Sequence, residues 1–167
     1  MKSSEHIINF LKEHNIAYQC YRHKPIYTLD DGLEITEAIG IKPCKCLLLV
    51  NRQHKHYMLL TQGDTDVNLH LLAGLIHSSR LSFATADALD TLLHTIPGAV
   101  SPLGLIFDTE QLAGLIIDEK ILQCDKIMLA PCVNDKSIIM KTHDFINIFL
   151  PTSKHSNYQI IKRVNHI

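Results

Sequence analysis

No apolar run in this 167-residue sequence is long enough to span a bilayer, so no membrane partner is expected. The common catalytic fingerprints are missing too. There is no Gly-x-Ser-x-Gly elbow, no Gly-x-x-x-x-Gly-Lys-Ser/Thr phosphate loop, no Gly-x-Gly-x-x-Gly and no His-Glu-x-x-His. The five cysteines, Cys20, Cys44, Cys46, Cys124 and Cys132, contain no Cys-x-x-Cys pair, which argues against a disulfide framework and for thiols kept reduced. Low-complexity tracts are absent as well. With 46% hydrophobic and 20% charged residues, the composition is that of a globular chain and not a disordered one. Its length suits one domain over residues 1–167, and the polar start from Met1 to His6 does not resemble an export signal, so the cytoplasm is the expected location.

Positive charge is also missing from the middle of the chain. Between Leu81 and Glu119 lie Asp87, Asp90, Asp108, Glu110, Asp118 and Glu119 with no Lys or Arg, although the whole chain carries a net charge of only −1. By contrast, Lys42, Lys45, Arg52 and Lys55 fall between Lys42 and Tyr57 with no acid among them, and Lys154, Lys162 and Arg163 follow Asp144 in the same way. A protein that touches only one end of a nucleic acid needs such a local patch and no high overall pI, but an ordinary solvated face has the same look. Most of the eleven histidines read as surface residues.

Local patterns predict scattered helices among hairpin-like strands. Ser3 or Ser4 caps a helix with Ile7, Ile8 and Leu11 on one face, ending near His14 and Asn15, and a strand follows from Ala17 to Arg22. Asp30 caps a helix through Ala38 that Gly40 stops. Cys46 to Val50 and Tyr57 to Thr61 read as a hairpin joined by the turn Asn51 to Lys55. Asp66 caps a helix from Val67 toward Ala73, Leu81 to Ala84 is a short strand, and Thr85 caps a helix from Ala86 to His94. Further strands are expected at Leu103 to Phe107, Gly114 to Asp118, Lys126 to Ala130 and Ser137 to Met140. Thr142 caps a last helix that Pro151 ends, and a loose tail to Asn157 precedes a strand from Tyr158 to Val164. This order lacks regular βαβ alternation, so the fold class is α+β: a mixed, mostly antiparallel sheet with helices packed around it.

Two places carry candidate chemistry. Lys45 stands at the mouth of the apolar run Cys46 to Val50, where an ammonium can meet a phosphate or carboxylate; a lysine snorkelling at a strand end has the same sequence. Pro97-Gly98-Ala99-Val100-Ser101-Pro102-Leu103-Gly104 joins a sharply turned loop to another apolar run, and its backbone suits a carbonyl-bearing substrate, though it also reads as an ordinary loop. Ser101 has no adjacent base and is assigned a hydrogen bond within the loop instead of a nucleophilic role. Asp64 and Asp66 read as a turn and a helix cap rather than an acid–base pair. Cys44 and Cys46 share a strand face, and His54 and His56 repeat their spacing nearby; structural zinc sites use wider spacing, so no metal or other cofactor is expected there.

Taken together, these segments resemble the freestanding aminoacyl-tRNA editing enzymes related to the insertion domain of bacterial prolyl-tRNA synthetase, the YbaK/ProX superfamily, and within it the prolyl-tRNA deacylase branch. The resemblance covers roughly residues 20 to 150. It rests on His23-Lys24-Pro25-Ile26-Tyr27-Thr28, the Lys45 to Leu49 strand, Tyr57 to Leu60, Leu81 to Ala84, Pro97 to Leu105, and Pro131-Cys132-Val133-Asn134. It implies that Lys45 is the family's essential lysine, contacting the phosphate of the terminal adenosine of tRNA. It also implies that Gly98 to Pro102, with Ala99, Val100 and Ser101 between, is the Gly-x-x-x-Pro loop that cradles the aminoacyl group and orients the attacking water.

The implied substrate is Ala-tRNA(Pro), the implied partners are the tRNA 3′ end and prolyl-tRNA synthetase, and Tyr27 is a candidate for stacking on a base. Ala130 and Asn134 fall at the pocket positions around the family's Pro-x-x-Asn stretch. This branch usually carries a histidine where this chain has Ala130, and a small polar residue where it has Cys46. These departures leave open a different small amino acid, or a noncatalytic module that binds tRNA or a synthetase.

Overall fold

Across residues 2–162, which the computed structural model describes, strand pairing builds two sheets. The smaller has the order β1 (Gln19–Arg22), β7 (Lys136–Lys141), β6 (Lys126–Leu129), all antiparallel. The larger has the order β4 (Ser82–Phe83), β2 (Cys44–Val50), β3 (His56–Gln62), β5 (Ala113–Asp118), β8 (Gln159–Ile161). Its β4–β2 and β2–β3 pairs are antiparallel, whereas β5 runs parallel to both β3 and β8. The α+β class and the predominance of antiparallel pairing match the expectation, but the strands divide between two sheets.

Side-chain alternation decides how the layers stack. Met58, Leu60, Leu115 and Ile117 of the larger sheet meet Ile127, Leu129, Ile138 and Met140 of the smaller one in a shared core. Ile7 and Leu11 of α1 (Ser3–Glu13) and Leu89, Leu92 and Leu93 of α4 (Ala86–Leu93) close that core. The intervening residues Tyr57, Leu59 and Ile116 point the other way, onto Leu72 and Ala73 of α3 (Leu69–Leu75). Met128 and Ile139 likewise face outward, against Ile35 of α2 (Leu29–Ile39). None of the helices in the described residues is long and apolar enough to cross a membrane.

Several boundaries differ from the sequence reading. Residues Pro102–Phe107 form a 3-10 helix and not a strand. An unbroken apolar run does not distinguish the two, and here Pro102 sets φ while the Ser101 hydroxyl accepts a hydrogen bond from the Leu103 amide at 3.1 Å. Lys2 is the N-cap of α1; Ser3 instead donates through its hydroxyl to the His94 carbonyl at 2.7 Å. Thr28, two residues before Asp30, caps α2 by accepting from the Asp31 amide, and the Asp31 carboxylate accepts from the Tyr27 and Thr28 amides at 2.8 and 3.0 Å. Gly40 ends that helix with φ of 83°, as expected. Asn68, not Asp66, caps α3.

The C-terminal region departs further. Lys141, not Thr142, is the N-cap of α6 (Thr142–Asp144); a π turn (Phe145–Phe149) follows, then α7 (Leu150–Thr152). Pro151 therefore lies inside helical chain, where the widened turn before it absorbs the missing donor. The expected loose tail is pinned as well, because His155 is buried, hydrogen-bonding through Nδ1 to the Ser153 carbonyl at 2.6 Å and through Nε2 to the buried Asp108 carboxylate at 3.1 Å. Of the strand predicted from Tyr158 to Val164, β8 covers Gln159–Ile161; Arg163 and Val164 lie outside the described residues.

Burial works against the charge on Asp108, but hydrogen bonds from His155 and from the Ala113 and Leu112 amides outweigh it and hold the carboxyl below its ordinary range. A carboxyl lowered in the folded state contributes stability above its unfolded value and loses it as pH falls through the folded one. Replacing His155 with alanine is expected to cost about 3 kcal/mol at neutral pH. Urea unfolding of parent and His155→Ala checks this, and the gap between them should shrink as the medium is acidified below about pH 4.

Candidate active site

Strand β2 is paired with β3 along its whole length, but on its other side β4 reaches only Leu49 and Val50. At the start of β2, Pro43 bridges to Met128 of β6, after which the two sheets part. Below Leu48, whose carbonyl accepts from the Ala84 amide, the edge from Cys44 to Leu47 is left uncovered, and Cys44 to Leu48 form the floor of a cleft of about 1130 Å³. Its walls are the end of β6 running into Ala130 and Asn134, the Pro97 to Pro102 loop, the first turns of α2 with Tyr27 before them, and the Gly63 to Asp66 loop. Gly63 admits no side chain, since a Cβ there would stand 2.3 Å from the Pro43 carbonyl oxygen.

Lys45 is partly buried in this cleft. Its Nζ donates to the Thr65 carbonyl at 2.5 Å, which leaves two of its three protons for an anion. The acceptor is itself held in place: the Thr61 hydroxyl, opposite Lys45 in the strand register, hydrogen-bonds to the Thr65 hydroxyl at 3.1 Å and donates to Asp118 at 2.7 Å. Asp118 also accepts from the Lys120 amide at the start of α5 (Glu119–Leu122). A buried chain of polar groups thus runs from the end of β5 to the ammonium. Sequence reasoning missed it, because it treated Thr65 and Asp118 only as turn and strand residues.

The 97–102 loop forms the facing wall. Gly98 adopts φ of +88°, a left-handed conformation that other residues take up only with strain. Gly98, Val100, Ser101 and Pro102 line the cleft. Ala99 does not; it is buried, with its carbonyl accepting from the Thr95 hydroxyl at 2.8 Å. The Ser101 hydroxyl caps the 3-10 helix by accepting from the Leu103 amide. Among the described residues, the Gly98 and Val100 amides have no hydrogen-bond partner, and both residues line the cleft with Lys45.

Of the remaining predicted residues, Tyr27, Ala130 and Asn134 all line the cleft, with Tyr27 79% exposed at its rim. Phe83, 63% exposed on β4, lines it too and was not anticipated; an aromatic on a two-residue edge strand gives no periodic signal. Cys46, Leu48, Leu89 and Leu129 make the inner end apolar.

The Cys44/Cys46 and His54/His56 set is not assembled. In the hairpin register Cys44 and Cys46 lie opposite Gln62 and Leu60, whereas His56 pairs with Val50 at the other end and His54 sits in the turn. Among the described residues no group of three His, Cys, Asp or Glu is placed to hold a metal. Burial pushes the Cys44 thiol up to about 12 and the Cys132 thiol up to about 11, and raises Cys46 well above the ordinary range. Nor do the cations between Lys42 and Tyr57 form one patch: Lys42 pairs with Asp64 at 2.9 Å, and Lys55 lies over the Tyr57 ring at the far end of the hairpin.

This fold and cleft define a class of protein. The aminoacyl-tRNA editing domain family matches residues 23–148, and the chain belongs to that family. The prolyl-tRNA editing protein ProX of Acetoanaerobium sticklandii is 26% identical over 149 residues, covering 89% of this chain and 91% of that protein. The multifunctional Ser/Thr-tRNA deacylase ProXp-y of Escherichia coli is 24% identical over 150 residues, 88% of each chain. A crystal structure described as a "putative trans-editing enzyme for prolyl tRNA synthetase" has a TM-score of 0.73 at 16% identity, covering 97% of this chain and 96% of that one, and shares the fold.

Raised thiols and burial have a direct chemical consequence, since only the thiolate attacks a disulfide reagent. Titrating the native protein with an aromatic disulfide at pH 8 is expected to label the exposed Cys20 quickly, with the buried Cys132 silent until denaturant is added.

Proposed function

We propose that this protein is an aminoacyl-tRNA deacylase acting in trans, hydrolysing the ester between a wrong amino acid and the terminal ribose of a tRNA. The observation that carries the reading is the cleft along the β2 edge. It gathers Lys45, Gly98, Val100, Pro102 and Asn134 in a chain of the aminoacyl-tRNA editing family.

In this reading Lys45, steadied by Thr65, directs its two remaining N–H groups at the phosphate of the terminal adenosine. The Gly98 and Val100 amides face the ester and donate to the oxyanion that develops when water adds to the carbonyl carbon. The C–O bond then breaks, the ribose oxygen takes up a proton, and the free amino acid leaves with the oxygen of water. The neighbouring ribose hydroxyl assists. An activated ester held in place needs no protein nucleophile, which agrees with a capping Ser101 and thiols kept protonated. Tyr27 and Phe83 at the rim offer faces for the terminal bases.

Specificity rests on the apolar inner end near Cys46, Leu89 and Ala130. A pocket of fixed size that admits alanine and excludes proline removes the error a proline-activating site cannot avoid, so Ala-tRNA(Pro) is the first-choice substrate and prolyl-tRNA synthetase the enzyme whose errors are corrected. A second reading is favoured by Ala130, where the branch usually has histidine, and by the Ser/Thr-tRNA deacylase among the relatives: the acyl group is another small one, serine or threonine. The same missing histidine also fits a binding module without turnover.

Deacylation of Ala-, Pro-, Ser-, Thr- and Cys-tRNA decides among these. The expected result is turnover of the alanyl ester with prolyl-tRNA spared, and a fall in kcat/KM of about 100-fold in Lys45→Ala. Preferential cleavage of seryl or threonyl esters reassigns the substrate. Binding of tRNA with every ester left intact establishes the noncatalytic module.

A further inference from the structure

We infer that Arg22 and Lys24 at the end of β1, with Lys136 on β7, form a docking surface for the phosphodiester backbone of the acceptor stem of the tRNA. The inference rests on the reading above and gives the part of the substrate outside the cleft a place to lie.

The strand register places Arg22 directly opposite Lys136. Like charges opposed across neighbouring strands repel, so this pairing works against the sheet that contains it and calls for an anion to offset it. Among the described residues neither of the two, nor Lys24, makes an ion pair, and the adjacent Asp135 pairs with none of them. Lys42 differs, being matched by Asp64.

The three cations lead into the cleft. The His23 amide donates to the Asp135 carbonyl at 3.0 Å and the Ile26 amide to the Asn134 carbonyl at 2.9 Å, so the chain from Arg22 to Tyr27 runs beside residues 134–137 and ends at the rim. The His23 ring fastens the two segments, with Nδ1 hydrogen-bonded to the Lys24 carbonyl and Nε2 to the Ser137 hydroxyl, each at 2.8 Å. Lys136 itself lines the cleft. On the opposite rim, β4, α4 and the 97–102 loop belong to the stretch from Leu81 to Glu119 that contains no Lys or Arg. On the near side α2 carries Asp30, Asp31, Glu34 and Glu37, so a polyanion whose end enters the cleft is drawn to the local group Arg22, Lys24 and Lys136, and the contacts it makes there are to phosphates, carrying affinity and no sequence information.

The test is the double variant Arg22→Glu, Lys24→Gln. The introduced carboxylate would face Lys136 with opposite charge, so the fold should melt no lower than the parent while RNA binding weakens, which separates loss of docking from loss of structure. On full aminoacyl-tRNA, KM is expected to rise about tenfold with kcat unchanged, and the slope of log KM against log salt to flatten by about 2. An aminoacylated CCA trinucleotide, which has no stem, should be cleaved equally by both proteins. Unchanged KM and salt slope in a variant tested against an active parent overturn the docking surface and leave the proposed activity standing. If the parent cleaves nothing, the proposed activity fails and the surface is judged by fluorescence anisotropy with an uncharged acceptor-stem hairpin: equal affinity for parent and variant overturns it, and a loss confined to the variant supports it.

Discussion

β2 is paired on one side from Cys44 to Val50 and on the other only from Leu48 to Val50, and the cleft exists because of that asymmetry. An edge of unpaired backbone is ordinarily a template for another strand. Here the Pro43–Met128 bridge brings the smaller sheet alongside and then lets it diverge, so the edge is walled in by loops instead of being paired. The divergence is anchored where the Gly63 backbone approaches Pro43 too closely for any Cβ, and it places Lys45 on the floor with the 97–102 loop facing it.

Polar groups around the cleft are held more tightly than their exposure suggests. The Asp118–Thr61–Thr65 chain ends in the carbonyl that holds Lys45 Nζ, so the ammonium position is set from the buried end of β5 and not by the lysine's own flexible stem. The loop that walls the cleft combines a left-handed Gly98 with a Ser101 cap, which stiffens its backbone. In the proposed deacylase, donors held in this way would act on developing charge without reorganising. Arg22 and Lys136 stand opposite each other in the β1–β7 register, and Lys136 reaches the cleft lining.

How much of this could be read from the residues varied with the kind of signal. Periodic apolar runs located β2, β3, β5, β6, β7 and α4 to within a residue or two, because alternation and helical spacing reflect burial directly. The run Leu103 to Phe107 failed as a strand, since it is buried on nearly every side and carries no period. Caps shifted by two residues at α2 and α3 because Asp, Asn and Thr all qualify and the competition between them is settled by which side chain reaches the free amides. The Asp108–His155 pair was invisible: its partners are 47 positions apart, and neither belongs to a motif.

Lys45 and the Gly98 to Pro102 loop stood out from the residues themselves, while the resemblance gave them roles and added Tyr27, Ala130 and Asn134; all but Ala99 line one cleft. Composition and local spacing determined by themselves that the chain is α+β, where most of its strands lie, and that no common nucleophilic or nucleotide-binding fingerprint is present, for these are properties of neighbouring residues. Tertiary structure alone decided that the basic stretch from Lys42 to Lys55 disperses along a hairpin, that Cys44 and Cys46 pack against the core away from His54 and His56, and that Phe83, Thr65 and Lys136 line the cleft. The physical reason is that charge pairing, burial and hydrogen-bond partnership are settled by what approaches through space, and the two sheets that meet at β2 and β6 bring together residues that no linear pattern connects.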